Sequence, residues 1–192
     1  MSGIDAQTLA ARTRARLTDR PRRVVPPGPL IRAAVLVPIV DRGEAHLVFI
    51  QRSDRVQHAG QISFPGGRID PDDADDLHAA LREAHEEVAL PPTSVEPLGV
   101  LDDTETFATQ YVITPWVGLV HGAVAWQPDA HEVDRVIEVP VGALLARGCF
   151  RVEQSERAGI VRDVYFYDYG DTTIWGATAR ILKQYLDIVE SE

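Results

Sequence analysis

Three glutamates, Glu83, Glu86 and Glu87, are spaced so that their carboxylates can act together. On a helix that turns by about 100° per residue they share one face, and apolar residues occupy the opposite face. Like charges three or four residues apart cost roughly 0.2–0.5 kcal/mol per pair and raise each other's pKa. A divalent cation removes this cost, because Mg²⁺ and Mn²⁺ bind hard carboxylate oxygens together with substrate phosphates. The spacing therefore indicates either a metal site or the solvated acidic face of a surface helix.

The segment before this helix favours the metal site. Gly66 and Gly67 are predicted to form a turn where the backbone approaches the metal and a carbonyl acts as a ligand. A rigid loop with three more carboxylates follows at 70–73. Arg82, four residues before Glu86, can hold that carboxylate in one orientation. Together these features suit a site for an anionic diphosphate and its cations.

The bulk properties of the chain limit the classes of partner. The formal net charge is −10, which disfavours duplex nucleic acid because phosphate backbones are met by basic surfaces. The longest apolar run, 33–40, is shorter than the roughly 20 residues of a membrane span. The N-terminus lacks the apolar core of a secretory signal, and Cys149, the single cysteine, is expected to be a core thiol. These features predict a cytoplasmic protein without nucleic acid or membrane partners, and they are compatible with a homodimer.

The elements that position these side chains follow from hydrophobic periodicity. Residues 1–29 are predicted to form a helix, at 5–19, and a Pro-rich arm, ahead of a main domain at 30–192. Predicted strands of that domain lie at 33–40, 47–50, 96–101, 111–120, 133–139 and 163–169, and predicted helices at 75–90, 141–146 and 174–189. Asp171 and Thr172 are expected to cap the last helix. Strands and helices without strict alternation indicate an α/β protein with a mixed sheet flanked by helices.

A longer pattern joins the glycine pair to the acidic helix. Gly67 is followed after five residues by Asp73, and after eight more by the sequence Arg-Glu-Ala-His-Glu-Glu-Val-Ala-Leu at 82–90. This pattern resembles the box of the Nudix hydrolases, usually written G-x5-E-x7-R-E-U-x-E-E-x-G-U. Asp73 replaces the usual glutamate, one extra residue precedes Arg82, and Ala89 replaces the closing glycine, which disfavours a left-handed helix end. The resemblance implies an α/β/α sandwich and a metal-dependent pyrophosphohydrolase.

A second block, upstream of the box, indicates the substrate. Residues 50–53 and 58–67 resemble the signature of the coenzyme A pyrophosphatase branch of the Nudix hydrolases, which also carries the extra residue before Arg82. Stretches 112–119 and 174–180 are similar to that branch as well, so the resemblance covers about residues 30–185. It implies hydrolysis of coenzyme A to 4′-phosphopantetheine and adenosine 3′,5′-bisphosphate, with Mg²⁺ or Mn²⁺ as cofactor.

The resemblance also implies a role for individual side chains. The implied metal ligands are Glu86 and Glu87, then Glu83 and the Gly67 carbonyl; the implied catalytic residues are Glu83, Glu86 and Arg82; the implied substrate contacts are Arg52, His58 and Gln61. Arginine suits phosphate because its planar fork donates two parallel hydrogen bonds. The general base is either Glu83 or Glu132, which precedes the strand at 133–139. Trp116 and Trp175 are expected to be core residues rather than stacking platforms for a base.

Two other functions stay open at this level. A Nudix enzyme could cut a different diphosphate, such as an ADP-sugar, a dinucleotide or a nucleoside triphosphate. A Nudix-like ligand-binding module without turnover is the other, and loss of the box carboxylates would be its mark. Here Glu83, Glu86 and Glu87 are all present, which favours an enzyme.

Overall fold

A mixed sheet forms the centre of the fold. The computed structural model describes residues 3–26, 28–56, 59–106, 110–157 and 159–191, and within them eight strands join this sheet. The strands are β1 (Ile31–Asp41), β2 (Ala45–Arg52), β3 (Ile62–Ser63), β4 (Gly66–Arg68), β5 (Val95–Val100), β6 (Thr104–Glu105), β7 (Tyr111–Val120) and β8 (Val133–Pro140). The main path runs β3-β2-β1-β7-β5, while β4 pairs with β1, β6 with β7 and β8 with β2. Strands β1 and β7 are parallel, from Ile31 opposite Tyr111 to Ile39 opposite Leu119, and the other pairs are antiparallel.

Helices cover both faces of this sheet, because β1 is apolar on both of its sides. They are α1 (Ala6–Thr18), α2 (Asp76–Val88), α3 (Val141–Leu144) and α4 (Gly176–Glu190). Leu36 of β1 packs on the α2 side, together with Ala80 and Ala84 of the helix. Its neighbour Val37 packs on the other side, with α1 and α4 residues such as Leu9. This arrangement confirms the predicted α/β/α sandwich with a mixed sheet.

A separate three-stranded antiparallel sheet precedes α4. Its strands are β9 (Phe150–Arg157), β10 (Ile160–Tyr169) and β11 (Thr172–Trp175), in the order β11-β10-β9. Tyr167 of β10 and Ile174 of β11 are paired and almost fully buried against the α4 side of the core. This unit supplies one wall of the cavity described below.

The N-terminal helix and the arm both attach to the main body. The helix predicted at 5–19 is observed at Ala6–Thr18, and the hydroxyl of its buried Thr13 lies 2.9 Å from that of Tyr185 on α4. The described arm residues form no helix or strand. They lie against Asp102 and Asp103, and the Val25 N–H donates to the Asp103 carboxylate at 2.9 Å. The Asp103 side chain is 0% exposed and is paired with Arg22.

Three expectations about elements were wrong, and three strands were missed. Residues 172–175 are a strand rather than the start of the last helix, because Thr172 and Ile174 face the core while their neighbours face outward. The helix starts at Gly176, so neither Asp171 nor Thr172 caps it. The glycine pair lies in β4 and not in a turn, and β3, β6 and β9 were not predicted. None of the helices in the described part of the chain combines the length and apolar character that a membrane span requires.

Candidate active site

Helix α2 has defined ends that fix the register of its glutamates. The Asp75 side chain caps the first turn by accepting the His78 N–H at 2.9 Å, which satisfies a donor with no partner in the helix. At the other end, Ala89 has φ 55° and ψ 33°, the left-handed conformation, and its N–H donates to the last turn. The left-handed helix end therefore forms although the sequence places alanine there, and we expect it to carry strain.

The three glutamates of this helix do not share one environment. The side chain of Glu87 is 2% exposed, that of Glu83 is 17% exposed and that of Glu86 is 58% exposed. Glu83 and Glu87 line a common cavity, and the more exposed Glu86 shares the Arg82 guanidinium with Glu83, each at 3.0 Å. Across the described residues, no three acidic, histidine or cysteine side chains converge as a complete metal cage would. The structure thus places Glu83 and Glu87 in one cavity, with Glu86 next to Glu83 at Arg82.

Arg82 holds the acidic groups of the box in place. Its guanidinium makes a two-pronged contact with Asp73, at 3.0 and 2.9 Å. It also donates to Glu83 and Glu86 at 3.0 Å each, and to the Arg68 carbonyl at 3.1 Å. The hydrogen bond from Arg82 is the main reason that the pKa of Asp73 lies below its usual value. Asp73, shorter than the usual glutamate, therefore still anchors Arg82.

Glu87 is the most desolvated acid of the site. It accepts the Gly66 N–H at 2.9 Å, and the Arg52 guanidinium lies 3.7 Å away. Burial raises the pKa of Glu87 to about 8, against the lowering effects of these two partners; Glu83 and Glu132 raise it further. Burial also raises the pKa of Glu83, although Arg82 opposes this. The Glu83 and Glu87 carboxylates are hard oxygen donors whose negative charge is only partly balanced by nearby arginines. This donor chemistry fits a divalent cation.

Both glycines of β4 are required by close approach to neighbouring groups. Gly66 has φ 148°, and an added Cβ would lie 2.4 Å from the Ala34 carbonyl oxygen of β1. An added Cβ at Gly67 would lie 2.5 Å from the Glu83 carboxyl carbon. Since these separations are shorter than van der Waals contact, any larger residue would displace the strand or the carboxylate. The glycine pair therefore lets the backbone run directly against the acids of α2.

The carboxylates open into a cavity of about 1010 Å³. Two predicted substrate residues, Arg52 and Gln61, line it, as does Glu132, the alternative base. Gly67, predicted as a backbone ligand, lines it as well. His58 lies outside the described residues.

The other wall of the cavity was not foreseen from the sequence. It comes from β10, β11 and α4, and its side chains include Arg162, Tyr165, Trp175, Thr178 and Arg180. Trp175 was expected in the core, but the residue is 44% exposed and contributes to this wall. Trp116, in contrast, packs against the core as expected. The stretch 174–180 could have indicated Trp175 and Arg180, whereas Arg162 and Tyr165 belong to no motif.

Comparison with known proteins identifies related sequences. Residues 30–157 match the family model of the NUDIX domain. The Nudix hydrolase NudL of Salmonella paratyphi B is 40% identical over 153 residues, which is 79% of this chain and 79% of that protein. The protein of the same name from Salmonella newport matches to the same extent.

Solved structures show the same fold at lower sequence identity. A MutT/nudix family protein from Enterococcus faecalis aligns with a TM-score of 0.56 and 14% identity, over 85% of this chain and 63% of that chain. The Nudix hydrolase RenU from M. smegmatis aligns with a TM-score of 0.51 and 20% identity, over 60% and 73% of the two chains.

Proposed function

This chain belongs to the Nudix hydrolase family, and from that premise we propose that it cleaves the diphosphate bond of coenzyme A or its derivatives. The products would be 4′-phosphopantetheine and adenosine 3′,5′-bisphosphate. The observation that carries the proposal is that the coenzyme A-type block and the box meet in one cavity. Arg52 and Gln61 of the block line it together with Glu83 and Glu87 of the box. Its volume of about 1010 Å³ is at the upper end of ligand pockets, roughly 300–1,000 Å³, and suits a large substrate.

Nudix hydrolases generally use divalent metal ions, and we assign the cation site to the α2 side of the cavity. Glu83 and Glu87 would hold Mg²⁺ or Mn²⁺, with the Gly67 carbonyl and Glu86 as further ligands. When bound, the cation offsets charge on the substrate oxygens and lowers the pKa of water. The support for this assignment is the burial of Glu87, because a desolvated carboxylate beside a second one is stabilised by added positive charge. Arg82 keeps Glu83 and Glu86 oriented through its 3.0 Å contacts, so we assign it a positioning role.

The remaining polar residues of the cavity bind substrate and move a proton. The Arg52 guanidinium suits the diphosphate, since it is the planar donor on the block side of the cavity. Gln61 adds an amide, and His58 completes the proposed contacts. Glu132 and Glu83 are the two candidates for the group that takes the proton of the attacking water.

The general base can be identified by two matched variants, Glu132→Gln and Glu83→Gln. Loss of a base lowers kcat and leaves the dependence of the rate on Mg²⁺ concentration unchanged. Loss of a metal ligand shifts that dependence to higher Mg²⁺. If both variants shift the dependence on Mg²⁺, then neither acts as a base alone.

The substrate is tested with a panel of diphosphates. Purified protein is incubated with coenzyme A, an ADP-sugar, a dinucleotide and a nucleoside triphosphate, each with Mg²⁺ or Mn²⁺, and the products are identified by mass spectrometry. We expect the highest kcat/KM for coenzyme A and no products in EDTA. Inert coenzyme A, with rapid cleavage of another diphosphate, would contradict the substrate and leave the family unaffected.

A further inference from the structure

The cavity has charged side chains on both of its walls. The α2 wall presents Glu83 and Glu87, which we assigned to the cation. The C-terminal wall presents two arginines, Arg162 from β10 and Arg180 from α4, together with one acid, Asp163 of β10. The proposed reaction at the diphosphate uses the first wall and Arg52, and therefore leaves these two arginines without a role.

Arg180 is partly desolvated at the cavity wall, with Arg162 and Arg23 close enough for their charges to act on it. Its Nη1 donates to the Glu105 carbonyl oxygen at 3.0 Å, which fixes the side chain where α4 meets β6. Burial lowers the pKa of Arg180, and the positive charges of Arg162 and Arg23 lower it further, against raising effects of Tyr165 and Glu105. An arginine stays charged even so. Because Arg162 and Arg180 line the same part of the cavity, an anion bound there would be attracted by both guanidinium groups.

Aromatic side chains line the same wall as these arginines. Tyr165 and Trp175 line the same wall, and the Trp175 side chain is 44% exposed. Aromatic side chains and guanidinium groups on one wall can bind both parts of a nucleotide. The base stacks on an aromatic ring, and a guanidinium group donates two hydrogen bonds to a phosphate. The wall therefore has the chemistry for a phosphorylated nucleoside.

We propose that Arg162 and Arg180 form a subsite for a phosphomonoester of the substrate, remote from the diphosphate bond that is cut. This inference rests on the proposed function and extends it, because coenzyme A carries such a group as its 3′-phosphate. The subsite would select 3′-phosphorylated nucleotides over otherwise identical diphosphates.

The test compares coenzyme A with 3′-dephospho-coenzyme A in the parent, Arg180→Gln and Arg162→Gln proteins. We expect the parent to prefer coenzyme A and each variant to lower the ratio of the two kcat/KM values by roughly 10- to 100-fold, the range for charge-assisted hydrogen bonds. Arg180→Lys should restore part of the preference because it retains the charge. Arg14→Gln is the matched control, since Arg14 is an exposed arginine of α1 that pairs with Glu96 outside the cavity; its ratio should equal that of the parent.

An equal loss on both substrates would mean that the arginines only support the fold, and it would overturn the subsite. A parent without preference for the 3′-phosphate would overturn it as well. The two arginines lie on different elements. If thermal unfolding shows that one variant is not folded, the other variant still tests the subsite.

A binding measurement separates this inference from the proposed function. Calorimetry in EDTA compares adenosine 3′,5′-bisphosphate with adenosine 5′-monophosphate, which lacks the second phosphate. If coenzyme A is not cleaved but the bisphosphate binds more tightly and Arg180→Gln removes the difference, the substrate proposal fails and the subsite stands. If coenzyme A is cleaved but the two nucleotides bind equally, the subsite fails and the function stands.

Discussion

Replacing Ala89 by glycine should stabilise the protein. The residue ends α2 with φ 55°, and a left-handed conformation costs a residue with a Cβ roughly 1–2 kcal/mol. Glycine avoids that cost but gains freedom in the unfolded chain, which offsets about 0.4–1 kcal/mol. The expected net gain in the free energy of unfolding is about 0.5–1 kcal/mol. For a chain of 192 residues that corresponds to a rise in Tm of roughly 1–4 °C.

The measurement is urea unfolding of the parent, Ala89→Gly and a matched control, Ala11→Gly. Ala11 is an exposed residue within α1, so the same change there removes only helix propensity and should lower stability by about 0.5–1 kcal/mol. Opposite signs for the two glycines are the expected result. If Ala89→Gly lowers the midpoint as Ala11→Gly does, the helix end carries no strain and the reasoning fails.

Three further predictions concern the site and the arm. Glu87→Gln should lower kcat roughly 100-fold and reduce the rise in Tm on adding Mg²⁺, because an oxygen ligand is lost; full activity with the parental Tm response would refute the metal assignment, and Glu86→Gln should behave similarly. Arg52→Ala should raise KM for coenzyme A about tenfold and lower kcat less; a collapsed kcat at constant KM would show that Arg52 acts through Glu87. Burial acts to raise the pKa of Asp103, but hydrogen bonds from Arg22, the Val25 N–H and Thr114 outweigh it and leave that pKa lowered. Because the pKa is lowered in the folded state, Asp103 contributes stability above its unfolded-state pKa, and this contribution is lost as the pH falls through the folded-state pKa. Asp103→Asn should therefore cost roughly 3–5 kcal/mol at pH 7 and less at pH 3; an equal cost at both pH values, measured by urea unfolding, would contradict this.

The local pattern of apolar and polar residues was sufficient to predict the helices and strands whose hydrophobic period is unambiguous. Helix α2 was predicted because the apolar and acidic residues of 75–90 separate on two faces, and β1 because its apolar run is too short for anything but a buried strand or helix turn. Ile174 shows where local pattern fails. It fits the helical spacing of α4, but pairing with Tyr167 makes it part of a strand, and that pairing depends on β10.

The site divides in the same way. The box and the block were recognisable because their residues are close in sequence, and Arg52, Gln61, Glu83 and Glu87 do line one cavity. The contacts of Arg82 with Asp73, Glu83 and Glu86 depend on tertiary geometry, and spacing alone did not predict that Glu86 is the most exposed of the three glutamates. The C-terminal wall comes after β9 in the chain, and no motif marks β9. The position of this wall opposite the box therefore could not be predicted from residue spacing.

The parallel pairing of β1 with β7 has a consequence for how the chain reaches its native state. Residues 31–39 of β1 each pair with the residue eighty positions later, as Ile31 with Tyr111 and Ile39 with Leu119. The centre of the sheet therefore cannot close until the ribosome has released the chain beyond β7, and closing so long a loop is entropically costly and slow. During that interval the apolar β1 has no parallel partner, so folding should be slow and the nascent chain prone to association. Mutations that weaken β7 should consequently reduce the yield of folded protein strongly, even where the free energy of unfolding of the folded protein changes little.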